Sequence, residues 1–194
     1  MPVVTAQELG IRTRRGWVFR GVDLEVEPGG FVALTGPSGS GRTSLLLALA
    51  GAFRTTAGTR RLAGRAGIGL VPGINEPEPG LTAAEHVRER LLLLGRADDP
   101  ARVLDGLGVD PATLGRDLTP YQRQRLMLAL ATMGYPELVV ADDVDLGLSA
   151  AERAELWQAL ADLADQGYAV VATAREAPDT AIEYDIEYNP EDHR

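Results

Sequence analysis

The sequence predicts an α/β fold with a mainly parallel central sheet, because apolar runs of strand length alternate with helical stretches along the chain. One of these runs, Phe31–Thr35, leads through a glycine-rich loop into an apolar helical stretch that begins at Leu45. A second run, Leu138–Ala141, ends in two adjacent carboxylates, Asp142 and Asp143. These two strand ends indicate where a binding site is expected.

The other elements follow from periodicity and turn residues. Strands are predicted where short apolar or β-branched runs lie between turn residues, at 3–9, 17–27, 31–35, 59–62, 68–71, 138–141, 168–173 and 182–188. Helices are predicted at 45–50, from about 82 to 117, at 119–134 and at 149–166. The 59–62 and 68–71 runs are interpreted as a pair of strands, 182–188 as an edge strand, and 189–194 as disordered. We assign the leucines at 91–94 to the core and His86 to the surface.

The composition fits one globular domain and argues against several classes of function. The 194 residues are 45% apolar and 24% charged, which is ordinary for a folded protein with a core of its own. A formal net charge of −9 gives no basic footprint, so no nucleic-acid partner is expected. The chain has no cysteine and two histidines, which excludes thiolate metal sites and argues against a histidine zinc site. With no secretory signal and no apolar run long enough for a bilayer, a cytoplasmic protein is expected.

The glycine-rich loop is Gly36-Pro37-Ser38-Gly39-Ser40-Gly41-Arg42-Thr43-Ser44, which matches the phosphate-binding pattern G-x-x-x-x-G-K-[ST] at every defined position except the lysine. Its glycines let successive N–H groups face a phosphate, and the helix N-terminus adds partial positive charge. Thr43 supplies the hydroxyl that such loops place on Mg²⁺. The sequence therefore predicts a nucleoside triphosphate with Mg²⁺ as the ligand of these nine residues. A glycine-rich turn that merely precedes a helix is the alternative, and the register of glycines, basic residue and hydroxyls disfavours it.

Arg42 stands where the pattern has lysine, in a chain whose nineteen basic residues are all arginine. A guanidinium is a planar fork on a longer side chain, whereas an ammonium is a compact point charge. We expect nucleotide binding to survive this exchange and the positioning of the transition state to suffer.

The carboxylates after the 138–141 strand are the second candidate part of the site. In phosphate-loop NTPases, a strand beside the loop ends in an aspartate that holds Mg²⁺ directly or through water, and Asp142 fits that role. Asp143 would then face the attacking water and is the candidate catalytic residue. An apolar strand that ends in carboxylates is weak evidence alone and gains weight beside the loop.

Between these two motifs lies Asp117-Leu118-Thr119-Pro120-Tyr121-Gln122-Arg123-Gln124-Arg125-Leu126. Here the chain resembles the ATP-binding cassette (ABC) ATPases, whose signature L-S-G-G-Q-R-Q-R precedes a helix and the aspartate-ending strand. The residues that carry the signature-like pattern are Leu118, Thr119, Pro120, Tyr121 and Gln122.

The resemblance implies a P-loop NTPase with a RecA-like core, a small antiparallel β region and a reduced helical subdomain at about 82–134, all within one domain of residues 1–188. It also implies the ATP-binding subunit of a transporter-like system. Such subunits pair head to tail with a second cassette and bind a membrane-spanning subunit, which would hold this chain at the inner face of the cell membrane.

Several positions depart from the family pattern. Pro120 has no N–H to offer a partner's γ-phosphate, and Tyr121 adds a ring where that phosphate approaches. The usual glutamate general base is Asp143, which is one methylene shorter. The Q-loop glutamine aligns with Gly73 and the switch histidine with Ala174.

Two further departures concern the loop after the second motif and the adenine site. The D-loop aligns with 146–149 and lacks its aspartate. The adenine-stacking aromatic aligns near Thr13, with Trp17 and Phe19 as nearby substitutes.

These departures predict a cassette that binds ATP–Mg²⁺ and hydrolyses it slowly or not at all. A regulatory or scaffolding pseudo-ATPase, in which nucleotide only orders the cassette for a membrane partner, is the first alternative. The second is a P-loop kinase that transfers phosphate to a small molecule; the signature-like segment and the lack of an arginine-rich lid disfavour it.

Overall fold

The computed structural model describes residues 1–186, in which eight strands form two sheets. The antiparallel sheet has the order β2-β1-β4 and contains β1 (Val4–Thr13), β2 (Gly16–Val26) and β4 (Ala57–Leu62). The parallel sheet has the order β5-β6-β7-β3-β8 and contains β3 (Phe31–Thr35), β5 (Ala66–Ile68), β6 (Leu138–Ala141), β7 (Ala169–Thr173) and β8 (Ile182–Asp185).

Five α-helices connect these strands in the described part of the chain. They are α1 (Arg42–Leu49), α2 (Ala83–Leu93), α3 (Pro100–Leu104), α4 (Pro120–Thr132) and α5 (Ala150–Asp165), with a short 3-10 turn at Gly115–Asp117 before α4. The predicted α/β class with a mainly parallel sheet is confirmed.

The parallel sheet is buried on both faces, and its central strands are accordingly apolar except for the threonines that end β3 and β7. Val32 and Leu34 of β3 pack with α1 and the antiparallel sheet, whereas Phe31 packs with α5. A separate cluster of buried side chains from α2, α3 and α4 includes Val87 and Leu126. Because β3, β7 and β6 run parallel, the loop after β3 and the carboxylates after β6 lie at the same, carboxyl end of the sheet.

Two predictions of secondary structure are wrong. The runs at 59–62 and 68–71 do not pair with each other, because β4 pairs with β1 and β5 pairs with β6 in the other sheet. The helical stretch from about 82 to 117 is broken, since Gly95 and Gly106 adopt positive φ and end α2 and α3. The predicted edge strand is confirmed as β8, and the predicted disorder at 189–194 lies outside the described residues.

The two side-chain assignments in α2 also need correction. His86 is only 7% exposed; its Nε2 accepts the Glu78 N–H at 2.8 Å and its Nδ1 donates to the Thr82 carbonyl at 2.8 Å. Leu91 is buried, whereas Leu92 and Leu93 are 72% and 74% exposed, because the helical period turns them away from the core. No helix among residues 1–186 has the length and apolar content needed to cross a membrane.

Candidate functional site

The glycine-rich loop connects β3 to α1 in a conformation that glycine makes possible. Gly36 and Gly41 have φ of 136° and 89°. A Cβ on Gly36 would lie 2.7 Å from the Ile186 carbonyl oxygen, and one on Gly41 would overlap the Val18 carbonyl. No side chain caps the N-terminus of α1, so its first N–H groups, which have no partner inside the helix, remain available to an anion.

Ser40 adds a polar group to this loop. Its side chain is buried, and Oγ has no hydrogen-bond partner within residues 1–186. An unsatisfied buried hydroxyl costs about 1–3 kcal/mol. A loop with open N–H groups and a spare hydroxyl is a fitting receptor for phosphate.

Thr43 and Asp142, the predicted Mg²⁺ ligands, lie together. Thr43 Oγ1 donates to Asp142 Oδ2 at 2.8 Å, although the two residues come from different elements. Mg²⁺ in nucleotide sites is held by one or two carboxylates together with the phosphates, and this pair fits that need. Within residues 1–186, no three or more histidine or carboxylate side chains are grouped so that they could hold a metal ion by themselves.

Two buried polar residues that the sequence analysis did not select hold Asp142 in place. Thr173 ends β7; its Oγ1 donates to Asp142 Oδ1 at 2.5 Å and accepts the Asp143 N–H at 2.7 Å. Gln124 in α4 donates from Nε2 to the Asp142 carbonyl at 3.1 Å. A threonine that ends an otherwise apolar strand was the available signal for Thr173.

The side chain of Arg42 contacts three acceptors in separate parts of the chain. Nη1 donates to the Gly36 carbonyl at 2.9 Å and to the Ala174 carbonyl at 2.6 Å. Nη2 lies 3.4 Å from Asp143 Oδ1. This guanidinium therefore joins the start of the loop, the residue after β7 and the candidate catalytic carboxylate.

Asp143 itself lies in an unusual environment. Its φ of 43° is in the left-handed region, which aspartate tolerates better than longer side chains do. Partial burial raises the pKa of Asp143, the neighbouring Asp142 raises it further, and the Arg42 guanidinium opposes both. The carboxylate is thus a partner of Arg42 rather than a free base.

A cavity of about 340 Å³ opens in front of the loop. Its walls are Gly36, Pro37, Ser38, Arg42, Asp143, Leu146 and Arg175. The structure therefore brings the start of the predicted phosphate loop and Asp143 to one open space.

The signature-like segment forms the N-terminus of α4. Thr119 caps this helix, its Oγ1 accepting the Gln122 N–H at 3.2 Å while Gln122 Oε1 accepts the Thr119 N–H at 3.1 Å. Leu118 is buried in the helical cluster, and Pro120 occupies the first helical position. Because proline has no N–H and that of Gln122 is occupied, the Tyr121 N–H is the open donor of this turn in the described residues.

The Tyr121 ring does not project freely from this turn, contrary to expectation. Its hydroxyl donates to Glu155 Oε2 of α5 at 2.7 Å and accepts from Arg125 Nη1 at 2.7 Å. Burial raises the pKa of Tyr121, and the bond to Glu155 adds to that shift. The Tyr121 ring is thus held by α5 and Arg125, and the main departure at this turn is the N–H that Pro120 lacks.

The structure also shows the surroundings of Gly73 and of the two candidate adenine-stacking residues, Trp17 and Phe19. Gly73 has a φ of 75° and donates its N–H to Glu76 Oε1 at 2.8 Å, so it belongs to a tight turn. Phe19 is a core residue and is not available to stack on a base. Trp17 remains half-buried, with the Arg12 guanidinium 5.5 Å from its ring centroid.

The comparisons with known proteins agree with this arrangement. The model of the ABC transporter family matches residues 19–145, which contain the loop, the signature-like segment and both aspartates. The chain is 32% identical over 188 residues to the macrolide export ATP-binding/permease protein MacB of Marinobacter nauticus, covering 84% of this chain and 29% of that protein. It is 36% identical over 163 residues to the Fe(3+) ions import ATP-binding protein FbpC 2 of Rhodococcus jostii, covering 75% and 47%.

The chain thus spans less than half the length of both relatives. Among solved structures, a dimeric bacterial ABC transporter cassette superposes with a TM-score of 0.78 at 21% identity, covering 95% of this chain and 97% of that one. The fold predicted from the motifs is confirmed.

Proposed function

The chain belongs to the ABC transporter family, as one of its ATP-binding cassettes, and from this premise we propose that it binds ATP with Mg²⁺ and hydrolyses it slowly or not at all. The residues proposed to hold the phosphates are Gly36, Pro37, Ser38, Gly39, Ser40, Gly41, Arg42, Thr43 and Ser44. Thr43 and Asp142 are proposed to hold Mg²⁺, which when bound supplies the charge that bridges the phosphates.

The pairing of Arg42 with Asp143 is the observation that carries the proposal of weak hydrolysis. A general base must lie within hydrogen-bond distance of the water that it activates. Asp143 is shorter than the usual glutamate, and the Arg42 guanidinium 3.4 Å away competes for its carboxylate. Ala174 offers only a methyl group where the family has its switch histidine, and its carbonyl is bound to Arg42.

The signature-like segment supports the same proposal for the opposite face of a cassette pair. The N-terminus of α4 offers one open N–H, because Pro120 has none and Gln122 is bound to Thr119. An ordinary second cassette would place a complete signature segment opposite the phosphate loop of this chain. Its own phosphate loop would face the altered segment at Thr119–Gln122 of this chain. We therefore propose that the two sites of such a mixed pair are not equivalent, whereas a pair of identical copies would carry the same weakened parts at both sites.

An apolar surface at α2 supports a membrane-spanning partner. Ile74, Leu92 and Leu93 are exposed large apolar side chains. Ile74 and Leu93 lie at a cavity of about 550 Å³, which also reaches Ile68 and Met127. Exposed apolar patches of this kind mark interaction sites. By this proposal, residues 1–188 form one cassette, with a helical subdomain at about 82–134, bound to a membrane partner at the inner face of the cell membrane.

A non-catalytic regulatory or scaffolding role is the second candidate. The turn at Gly73 favours it, because the backbone N–H there is bound to Glu76 and the residue has no side chain with which to sense a metal ion. In this role, nucleotide binding would order the cassette for its partner and no turnover would follow.

Titration of the purified protein with a fluorescent ATP analogue and Mg²⁺, with phosphate release measured in the same samples, tests the proposal. Saturable binding without release is expected, and Asp142→Asn is expected to weaken the binding. Release at the rate of an ordinary cassette, lost in Asp142→Asn, would contradict impaired hydrolysis. If the protein bound no nucleotide, both candidate functions would be contradicted, because each depends on nucleotide binding.

A further inference from the structure

We propose that Arg42 is an internal clamp that distinguishes nucleoside diphosphates from triphosphates: a diphosphate binds with the Arg42–Asp143 contact intact, whereas a triphosphate must open it. The inference rests on the proposed nucleotide site. It goes further by assigning to one side chain the choice between two nucleotide states.

The contacts of Arg42 define the clamp. Its guanidinium reaches three acceptors on three segments, namely the carbonyls of Gly36 and Ala174 and the carboxylate of Asp143. Its side chain is only 13% exposed, so the guanidinium is bound mainly by these protein acceptors and little by water. A planar fork with five N–H donors can hold acceptors in separate directions, whereas a lysine ammonium offers a single point.

The position of the clamp relative to the loop explains the discrimination. The open N–H groups at the start of α1 are independent of the Arg42 side chain, so they can receive a diphosphate without disturbing it. The residue at the Arg42 position of such loops serves the β- and γ-phosphates. By our proposal, the backbone N–H groups alone hold the β-phosphate in this chain, so that only a third phosphate needs the guanidinium. A third phosphate would therefore bring negative charge to the cavity wall shared by Arg42 and Asp143.

That charge changes the balance at Asp143. With Arg42 bound to it, the carboxylate is partly neutralised; beside a γ-phosphate it becomes a like charge that repels the ligand. The triphosphate is stabilised only if Arg42 turns from Asp143 to the phosphate. This movement also releases the Ala174 carbonyl, which lies directly after β7. The backbone after β7 thus differs between the two nucleotide states.

Calorimetric titration with Mg·ADP and with the Mg²⁺ complex of the non-hydrolysable β,γ-imido analogue of ATP tests the clamp. The measured quantity is the affinity for the triphosphate analogue divided by the affinity for ADP. Comparing this ratio between variants removes the difference in affinity that comes from the ligands themselves. Asp143→Asn is expected to raise the ratio in favour of the triphosphate by about fivefold, the upper range for a partly exposed ion pair. Arg42→Lys is expected to shift the ratio in the same direction. The double variant is expected to gain less than the sum of the two, because both changes open one contact.

Asp145→Asn is the matched control. Asp145 is the next carboxylate along the chain, so its substitution by asparagine removes the same charge. Its side chain accepts the Arg175 N–H and does not contact Arg42. Its ratio is expected to change much less than that of Asp143→Asn, because its charge lies near Asp143 but takes no part in the contact with Arg42. Equal ratios in the unaltered chain, Asp143→Asn and Asp145→Asn, or additive effects of Arg42→Lys and Asp143→Asn, would overturn the clamp while leaving nucleotide binding intact. Failure of the unaltered chain to bind either nucleotide would overturn the clamp and the proposed function together.

A second readout is independent of affinity. Nitrogen-15 NMR of arginine side chains, with the Arg42 signal assigned by its loss in Arg42→Lys, reports whether the guanidinium keeps its partners. We expect the Arg42 signal to be unchanged by ADP and shifted by the imido analogue. An identical shift with both nucleotides would contradict the clamp.

Discussion

Arg42 and Asp143 form an ion pair at the wall of the cavity in front of the phosphate loop, with Nη2 3.4 Å from Oδ1. The two residues are 101 positions apart in the chain. In an ordinary phosphate loop the basic residue serves the phosphates, and the carboxylate after the metal-binding aspartate serves water. Here each is a partner of the other. This one contact connects the two departures that the sequence shows at the loop and at the end of β6.

The first prediction concerns the proposed metal ligand. Asp142→Asn removes the carboxylate that lies 2.8 Å from Thr43 Oγ1. The Mg²⁺-dependent gain in nucleotide affinity is expected to fall at least about tenfold, because loss of groups around a metal costs this much or more. Titration with and without Mg²⁺ measures it. An unchanged Mg²⁺ dependence would remove Asp142 from the site.

The second prediction concerns the support of that ligand. Thr173→Val keeps the shape of the side chain but leaves Asp142 Oδ1 and the Asp143 N–H without the threonine hydroxyl. The free energy of unfolding is expected to fall by about 2 kcal/mol, the cost of buried groups that lose their partner. Chemical denaturation measures it.

Thr59→Val in β4 is the matched control, because it makes the same chemical change at an exposed position. It is expected to stay within about 0.5 kcal/mol of the unaltered chain. Similar losses in both variants would mean that the hydroxyl of Thr173 has no special role.

The third prediction separates the core from the exposed face of α2. Leu91→Ala is expected to lower the free energy of unfolding by about 3 kcal/mol, because it opens a cavity in a packed cluster. Leu92→Ala, at a side chain that is mostly exposed, is expected to cost less than about 0.5 kcal/mol. Equal costs would show that α2 lies in a different orientation.

The fourth prediction is a pH dependence at Glu137. Hydrogen bonds from backbone N–H groups, chiefly that of Arg65, hold the pKa of Glu137 below its usual value of 4.5. Its contribution to stability is therefore complete above the pKa of the unfolded chain and is lost as the pH falls through the lower folded value. Glu137→Gln is expected to make the unfolding free energy less dependent on pH below about 4.5, as denaturation at several pH values would show. An unchanged slope would contradict the assignment.

The sequence predicts those parts of the candidate site that are local in the chain. The loop between β3 and α1 and the carboxylates after β6 follow from strand, turn and helix signals within a few residues, and the structure places Thr43 beside Asp142. The contacts that the sequence did not predict join distant segments. Whether a guanidinium at Arg42 meets phosphate or carboxylate depends on how β6 and β7 are placed beside the loop.

The wrong assignments have two different physical origins. His86 appeared exposed because its partners, the Glu78 N–H and the Thr82 carbonyl, are backbone groups that carry no signal in the sequence. The strands β4 and β5 appeared to form a pair because they are close along the chain, but the short turn between them leads from one sheet to the other.

Phosphate release at saturating Mg·ATP, compared between the unaltered chain and Asp142→Asn, tests the central claim most directly. The account predicts that the analogue titration shows binding to the unaltered chain, while its phosphate release either equals that of Asp142→Asn or stays well below about one per second. Turnover of about one per second or faster, within the ordinary range for enzymes and lost in Asp142→Asn, would contradict the account.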